Sequence, residues 1–317
     1  MVKKDVLITD YVHPVLLQGL HSLGFSTTYA PEMLREEMEA LLPQYRGVVI
    51  NTRCALDRKA LAGAPSLRWI ARLGSGLDII DLVAAEEMGI RVISAPEGNA
   101  QAVAEHAMGM LLCLANKLVS ADRNVRAGDW SREPHRGWEV AGKTIGIIGY
   151  GNNGSAFARL WKGWDVKVLV YDKYVKHFGS DLVHEVDQAK LLHEADIISL
   201  HIPLTEETRE MVNVDFIARC KPGFVLINTS RGKNVNLADV RDALKSGYMG
   251  GACFDVLPFE PPSKGTAEFP GVFQEICQMV NVVFSPHVAG WTVESKKKIS
   301  EVLLKKIGNM LSEKVNP

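Results

Sequence analysis

Short apolar runs alternate with longer amphipathic stretches along the chain, and that rhythm predicts alternating strands and helices. Residues 6–8, 48–50, 69–71 and 92–93 read as strands, with helical spacing of apolar positions between them. A second series follows at 143–148, 166–171, 197–201, 225–228, 252–254 and 282–284. These runs are continuously apolar, the pattern of parallel strands covered by helices on both faces. Residues 99–117 carry a helical pattern dense in Ala, Leu and Met, and its all-round apolarity predicts burial between domains or subunits. A last amphipathic helix is predicted over 296–310, and the Pro-rich stretch 258–265 is predicted to be a long loop. The fold class is α/β with parallel sheets. At 317 residues the chain exceeds the roughly 250 residues that one core usually serves, so two domains are expected.

The second series opens on a glycine-rich turn. Gly149, Gly151 and Gly154 stand between the strand 143–148 and a helical run at 155–161. In that context the first glycine permits a tight turn, the second lets the backbone approach a pyrophosphate, and the third lets helix pack on strand. Asn152 and Asn153 then fall at the helix N-terminus, where unpaired N–H groups and the helix dipole hold negative charge. The next strand ends at Asp172, roughly 20 residues beyond the turn, where an acid accepts from a ribose 2′-hydroxyl and repels the 2′-phosphate of NADP. The unit is read as an NAD site. An ordinary tight turn would explain the glycines, but not the strand, helix and acid together.

Charge is balanced, with 36 basic and 37 acidic residues, which argues against nucleic acid or an anionic membrane and for a small-molecule partner. Cys54, Cys113, Cys220, Cys253 and Cys277 are odd in number and lack Cys-x-x-Cys spacing. They predict buried thiols in a reducing compartment, and neither a disulfide frame nor a metal site. The apolar stretch 107–115 falls far short of the about 20 residues needed to cross a bilayer. The first residues run straight into a strand pattern with no signal-peptide core, so a cytoplasmic location is the expectation.

Hydride transfer at a nicotinamide needs a proton donor and a cation for a substrate carboxylate, and ligands of open α/β sheets sit at the carboxyl ends of the strands. Arg231 follows the strand at 225–228, Glu260 lies beyond 252–254, and His287 follows 282–284. A histidine can give a proton to a carbonyl and take one from an alcohol, a buried carboxylate beside it fixes its tautomer, and a guanidinium grips a carboxylate bidentately. Each residue alone also has an ordinary reading: a structural arginine, a surface-loop glutamate, a histidine capping a strand end.

Six segments in order carry a resemblance. They are Arg-Leu-Gly-Ser-Gly-Leu-Asp-Ile-Ile-Asp at 72–81, Asn-Ala-Gln-Ala-Val-Ala-Glu-His at 99–106, and Gly-Lys-Thr-Ile-Gly-Ile-Ile-Gly-Tyr-Gly at 142–151, then His-Ile-Pro-Leu-Thr at 201–205, Ile-Asn-Thr-Ser-Arg-Gly at 227–232 and Ser-Pro-His-Val-Ala-Gly at 285–290. Over almost its whole length the chain resembles the D-isomer-specific 2-hydroxyacid dehydrogenase family, which includes glyoxylate and hydroxypyruvate reductases, D-lactate and phosphoglycerate dehydrogenases, and transcriptional corepressors. The resemblance implies two Rossmann-like domains, each a parallel sheet flanked by helices, with the active site in the cleft between them. Residues 1–98 and 291–317 would form the substrate-binding domain and 99–290 the NAD-binding domain. Arg231 would hold the substrate carboxyl and carbonyl, and Glu260 would pair with the catalytic His287, although residues 257–259 depart from the family's more usual Phe-Glu-x.

Leu73, Gly74, Ser75 and Gly76 resemble the family's substrate loop, whose backbone N–H groups bind the same carboxylate. Ser75 stands where many relatives carry Val or Ala. Asp255, Thr229 and Ser230 are implied beside the nicotinamide, and His201 and Pro203 beside the adenosine and ribose, a structural role for His201 being the stronger reading. The implied activity is NAD-dependent interconversion of a small 2-oxo acid and its D-2-hydroxy acid, in a homodimer formed through the cofactor domain. Two alternatives stand. A phosphoglycerate dehydrogenase would want extra cations, for which Arg53 and Arg72 are the candidates. An NAD-sensing corepressor would work through protein surfaces; the compact length and the intact Arg231, Glu260 and His287 argue against it.

Overall fold

The computed structural model describes residues 5–260 and 269–312, and the chain divides into two compact units, Met1–Ala100 with Gly290–Pro317, and Gln101–Ala289. Residues 261–265 of the expected long loop lie outside the described residues.

The first unit holds a five-stranded parallel sheet of β1 (Asp5–Ile8), β2 (Ser26–Tyr29), β3 (Gly47–Ile50), β4 (Trp69–Arg72) and β5 (Arg91–Ser94), in the order β2-β1-β3-β4-β5. The interior strands are the apolar runs, and β1 and β3 are buried on both faces, since helices cover both sides. Leu7, Val48 and Ile70 pack with Met38, Leu61 and Ala84 on one face. Val6, Ile8 and Val49 pack with Leu16, Leu20 and the C-terminal helix Val293–Ser312 on the other. That helix offers Ile299, Leu303, Ile307 and Met310, one stripe at helical spacing. Strand β2 is an edge strand of polar sequence, Ser-Thr-Thr-Tyr, and apolar patterning gives no sign of it.

The second unit holds a seven-stranded parallel sheet: β6 (Thr144–Ile148), β7 (Lys167–Tyr171), β8 (His184–Glu185), β9 (Ile197–Leu200), β10 (Phe224–Asn228), β11 (Met249–Phe254) and β12 (Val282–Phe284). Their order, β12-β11-β10-β9-β6-β7-β8, reverses direction between β6 and β9, the topological switch point at which open α/β sheets bind ligands. Strand β11 begins earlier than its apolar run because Gly250 and Gly251 carry no side chain to signal it. A Cβ would stand 2.4 Å from the Gly223 carbonyl oxygen at the first and 2.9 Å from that of Asn281 at the second, so close strand packing demands glycine.

The long apolar helix spans Pro96–Ala115, starting earlier than predicted because proline suits the first helical turn. Ala102, Val103, Ala104, Ala107, Met110, Leu111 and Leu114 are buried, while Gln101 and Glu105 are exposed. A further helix, Leu118–Arg126, was not legible in the sequence and buries none of its residues. Among the described residues no single helix is long and apolar enough to cross a membrane. The expectation of buried thiols needs correction at Cys277, which is exposed, and at Cys113, which is half-buried, whereas Cys54, Cys220 and Cys253 are buried and burial pushes the Cys220 thiol up to about 12.

Candidate active site

Strand β6 runs into Gly149, whose φ of 96° is left-handed; a Cβ there would lie 2.4 Å from the His201 carbonyl oxygen. A Cβ on Gly154 would lie 1.9 Å from the Gly149 carbonyl oxygen, so the helix Asn152–Leu160 starts pressed against the turn. A Cβ on Gly151, by contrast, would meet nothing within 4 Å. The turn is closed where chain packs on chain and open in front of a helix N-terminus that no side chain caps. Asn153 Oδ1 is buried there with no hydrogen-bond partner among the described residues. The open space at Gly151 and the uncapped N–H groups fit the pyrophosphate of a dinucleotide, whereas the Asn153 oxygen, an acceptor, offers an anion nothing.

His201 supports the turn from within the unit. Its N–H donates to the Ile148 carbonyl at 2.8 Å, its Nε2 lies 2.9 Å from Ser199 Oγ, and its ring packs against Phe157 at 5.2 Å. Burial pushes its pKa down to about 3, so the ring is neutral. The Pro203 carbonyl accepts from Thr208 Oγ1 at 2.7 Å and from Asn234 Nδ2 at 3.4 Å, and thus also serves the scaffold.

Asp172 follows β7. Its Oδ2 accepts the Tyr150 N–H of the glycine turn at 2.7 Å, and its Oδ1 accepts the N–H groups of Tyr174 and Val175, both at 2.8 Å. Burial raises the carboxyl's pKa, but these N–H bonds outweigh it and hold the group below its usual range. About four acceptor sites exist on a carboxylate, so capacity remains for a ribose hydroxyl. Neighbouring Lys173 is paired with Glu207 at 2.6 Å.

Strand β10 ends at Asn228, which is fully buried and pins the turn that follows. Its Oδ1 accepts from the Ser230 N–H at 3.1 Å and from Ser230 Oγ at 2.9 Å, while its Nδ2 donates to the Arg231 carbonyl at 2.9 Å. The Ser230 hydroxyl, expected beside the nicotinamide, is thereby turned inward. Thr229 Oγ1 is buried with no hydrogen-bond partner among the described residues, which fits a ligand contact. Arg231 is partly buried and donates through one terminal nitrogen to the Ser230 carbonyl at 2.7 Å. A Cβ on Gly232 would stand 1.9 Å from the Leu257 carbonyl carbon, so glycine here sets the Arg231 turn directly against the segment that leads to Glu260. Asn228 had a readable signal, an Asn two residues before a Ser at a strand end, the signature of a side chain closing its own turn.

His287 follows β12 with a φ of 55°, a left-handed conformation that costs a residue with a Cβ about 1–2 kcal/mol. Asp255, just after β11, holds it there. The His287 N–H donates to the Asp255 carbonyl at 2.7 Å, the Val288 N–H to Asp255 Oδ1 at 2.9 Å, and the Ala289 N–H to Oδ2 at 2.9 Å. Successive N–H groups thus converge on one buried residue, forming a nest. Ser285 Oγ donates to the same Oδ1 at 2.6 Å. Asp255, expected to face the cofactor, spends both carboxylate oxygens on the turn that carries His287. His106 completes the cluster, with Nε2 2.8 Å from Ser285 Oγ; sequence reasoning missed it, its only signal being a polar residue inside an apolar helix.

The structure brings Glu260 and His287 together, with His287 Nδ1 2.7 Å from Glu260 Oε2. The two side chains are 42% and 43% exposed, which corrects the expectation of a buried carboxylate. With Nδ1 directed at Glu260, Nε2 is the nitrogen left to exchange a proton with a substrate.

In the other unit, Leu73 is buried and donates its N–H to the Ile50 carbonyl at 2.8 Å. Gly74 has a φ of 141°, and its N–H turns back to the Arg72 carbonyl at 2.9 Å. The expected anion-binding set therefore narrows to the N–H groups of Ser75 and Gly76, which have no hydrogen-bond partner among the described residues. Arg53 lies 3.5 Å from Asp10 Oδ2 and donates to the carbonyls of Thr9, at 2.7 Å, and Pro31.

Residues 108–289 match the D-isomer specific 2-hydroxyacid dehydrogenase, NAD binding domain. The chain is 33% identical over 307 residues to a D-3-phosphoglycerate dehydrogenase of Archaeoglobus fulgidus, covering 96% of this chain and 57% of that one. It is 33% identical over 274 residues to a hydroxypyruvate reductase of Thermotoga maritima, covering 86% and 87%. Its fold superimposes on the D-lactate dehydrogenase of Aquifex aeolicus, solved with NAD and lactic acid, with a TM-score of 0.83 at 28% identity over 98% of this chain and 96% of that one. The chain spans about half the length of the curated phosphoglycerate dehydrogenases it matches. With the glycine turn at the sheet's switch point, Asp172 at the next strand end and these matches over most of its length, the chain belongs to the D-isomer specific 2-hydroxyacid dehydrogenase family, and its second unit is an NAD-binding domain of that family.

Proposed function

We propose that the chain is an NAD-dependent oxidoreductase that interconverts a small 2-oxo acid and its D-2-hydroxy acid. The observation that carries this reading is the His287–Glu260 pair, which fixes Nδ1 and leaves Nε2 for the substrate oxygen. Bound NAD(H) supplies the hydride chemistry. Toward it, the open space at Gly151 would admit the pyrophosphate, Asp172 would take a ribose hydroxyl, and the unpartnered Thr229 hydroxyl would offer a further hydrogen bond. In the reducing direction His287 holds the proton at Nε2 and passes it to the carbonyl oxygen as that oxygen gains charge. Arg231 neutralises the carboxylate, and the N–H groups of Ser75 and Gly76 offer an anion site within their own unit. Glu260 keeps the imidazole in its working tautomer and offsets its charge when protonated.

A phosphorylated substrate is the weaker reading. Of the two cations it would draw on, Arg53 is bound to the Asp10 carboxylate and to backbone carbonyls, and Arg72 donates to the Leu73 carbonyl at 3.1 Å. A panel of 2-oxo acids followed by NADH absorbance, with glyoxylate, hydroxypyruvate, pyruvate and phosphohydroxypyruvate, tests this directly; a strong preference for the phosphorylated acid would reverse the assignment. The proposal includes a homodimer formed through the cofactor domain, for which Leu118, Val119, Val125 and Trp130 supply exposed apolar surface. It also includes a cytoplasmic location, in keeping with free cysteines.

Cofactor choice should favour NADH over NADPH by roughly 100-fold or more in kcat/KM, since setting like charges together costs several kcal/mol. Lys173, paired with Glu207, gives a 2′-phosphate no free cation. Steady-state comparison of the two cofactors checks this, and equal use of NADPH would refute the role given to Asp172. Arg231→Ala should raise KM for the 2-oxo acid and lower kcat together, because the carboxylate is gripped in ground and transition states alike. A variant with only the cofactor's KM changed would remove Arg231 from the substrate site.

A further inference from the structure

His106 lies outside the residues that the proposed reaction uses, yet it joins the cluster that shapes His287. The proton inventory gives this cluster a direction. Ser285 Oγ carries one hydrogen and stands 2.6 Å from Asp255 Oδ1, an oxygen that already accepts the Val288 N–H. That hydrogen belongs to the Ser285–Asp255 bond. Ser285 Oγ must then accept from His106 Nε2 at 2.8 Å, so Nε2 carries the proton on His106. The chain of donors runs from His106 to Ser285 to Asp255, and the Asp255 carboxylate in turn receives the Val288 and Ala289 N–H groups. The Asp255 side chain is fully buried, and His106 Nε2 is 3.5 Å from its Oδ1. A buried carboxylate needs all its hydrogen bonds, and its orientation decides whether successive N–H groups can converge on it.

We propose that His106 and Ser285 are positioning residues for His287: they fix the Asp255 carboxylate as the acceptor that clamps the left-handed turn, and the turn aims His287 while its Nδ1 stays on Glu260. The inference rests on the reading of His287 as acid and base. It explains why a polar side chain is spent inside a helix otherwise packed by Ala, Leu and Met, with Met110 Sδ as the other neighbour of Ser285 Oγ at 3.5 Å. Neither residue needs to touch the substrate. Their effect passes through the backbone of residues 287–289.

The test compares His106→Leu, His106→Gln and Ser285→Ala in the full chain. His106→Leu removes the donor and keeps bulk, whereas the Gln side-chain amide can present an N–H to Ser285 Oγ. Hydrogen exchange of the 287–289 amides and steady-state kinetics with NADH are measured together. His106→Leu and Ser285→Ala should speed exchange at these amides by roughly tenfold or more and lower kcat roughly 10- to 100-fold, the usual consequence of leaving a buried partner unsatisfied. KM for NADH should stay within about twofold, because the glycine turn is untouched. His106→Gln should restore the slow exchange and most of kcat. Parent-like exchange in His106→Leu would overturn the proposal. So would equal impairment of His106→Leu and His106→Gln with faster exchange spread over the whole sheet, which marks a packing defect. Exchange needs no turnover, so a parent protein that reduces no 2-oxo acid would sink the proposed function while the exchange data still decide the clamp.

Discussion

His287→Ala is expected to lower kcat by roughly 10²–10⁴-fold, the range that general acid–base catalysis supplies, while leaving NADH binding near the parent value. The carbonyl oxygen of a 2-oxo acid gains negative charge as hydride arrives at carbon, and only a positioned proton relieves it. His287 is held for that purpose by its neighbours, with Nδ1 2.7 Å from Glu260 and its main-chain N–H 2.7 Å from the Asp255 carbonyl. Alanine keeps the strand and the cofactor cradle but removes the donor. Glu260→Gln should fall between the parent and His287→Ala: the amide can still meet Nδ1, but it no longer offsets the charge of a protonated imidazole. Stopped-flow measurement of NADH oxidation with saturating 2-oxo acid separates these steps. A His287→Ala protein within about tenfold of the parent kcat would mean that another group delivers the proton.

The glycine turn gives the second large effect, and two neighbouring glycines should fail for different reasons. At Gly154 an added Cβ would come within 1.9 Å of the Gly149 carbonyl oxygen, so backbone must shift, at a cost of roughly 1–3 kcal/mol for overpacking. Gly154→Ala should therefore lose both thermal stability and NADH affinity. At Gly151 an added Cβ meets nothing within 4 Å in the free chain, so stability should hold. The new methyl would stand instead in the space assigned to the pyrophosphate, and NADH affinity should fall by roughly tenfold or more, since the N–H cradle works only at close approach. Thermal unfolding paired with fluorescence titration of NADH reads both quantities. A Gly151→Ala protein that binds NADH as tightly as the parent would move the phosphates away from this turn.

The two sheets were legible in the sequence because their interior strands are buried on both faces and so leave apolar runs, continuous in β3 and along the first four residues of β10. Edge strands leave none. Strand β2 is Ser-Thr-Thr-Tyr and β8 is His-Glu, held by pairing rather than burial. The glycine turn was legible for a related reason, since a left-handed φ and backbone contact within 3 Å exclude a side chain and so write glycine into the sequence. Glu260 and His287 are 27 residues apart with no local pattern joining them, and only resemblance pointed to their pairing. The departures have one cause. The Gly74 N–H, the Ser230 hydroxyl and the Asp255 carboxylate all turn toward partners inside the fold, and hydrogen bonds fixed by tertiary structure decide such choices. His106 was hidden for the same reason, its partner lying 179 residues away.

Deuterium transfer follows the hydride itself. With NADH deuterated at the transferring C4 position and a small 2-oxo acid such as hydroxypyruvate or glyoxylate, product analysis by mass spectrometry and, for hydroxypyruvate, chiral chromatography follows both the hydride and the face it reaches. One deuterium at C2 of the 2-hydroxy acid, the D configuration, and loss of both signals in His287→Ala on the same timescale are expected. Label washed into solvent, an L product, or no NADH consumed with any 2-oxo acid would contradict hydride transfer to C2 of a 2-oxo acid.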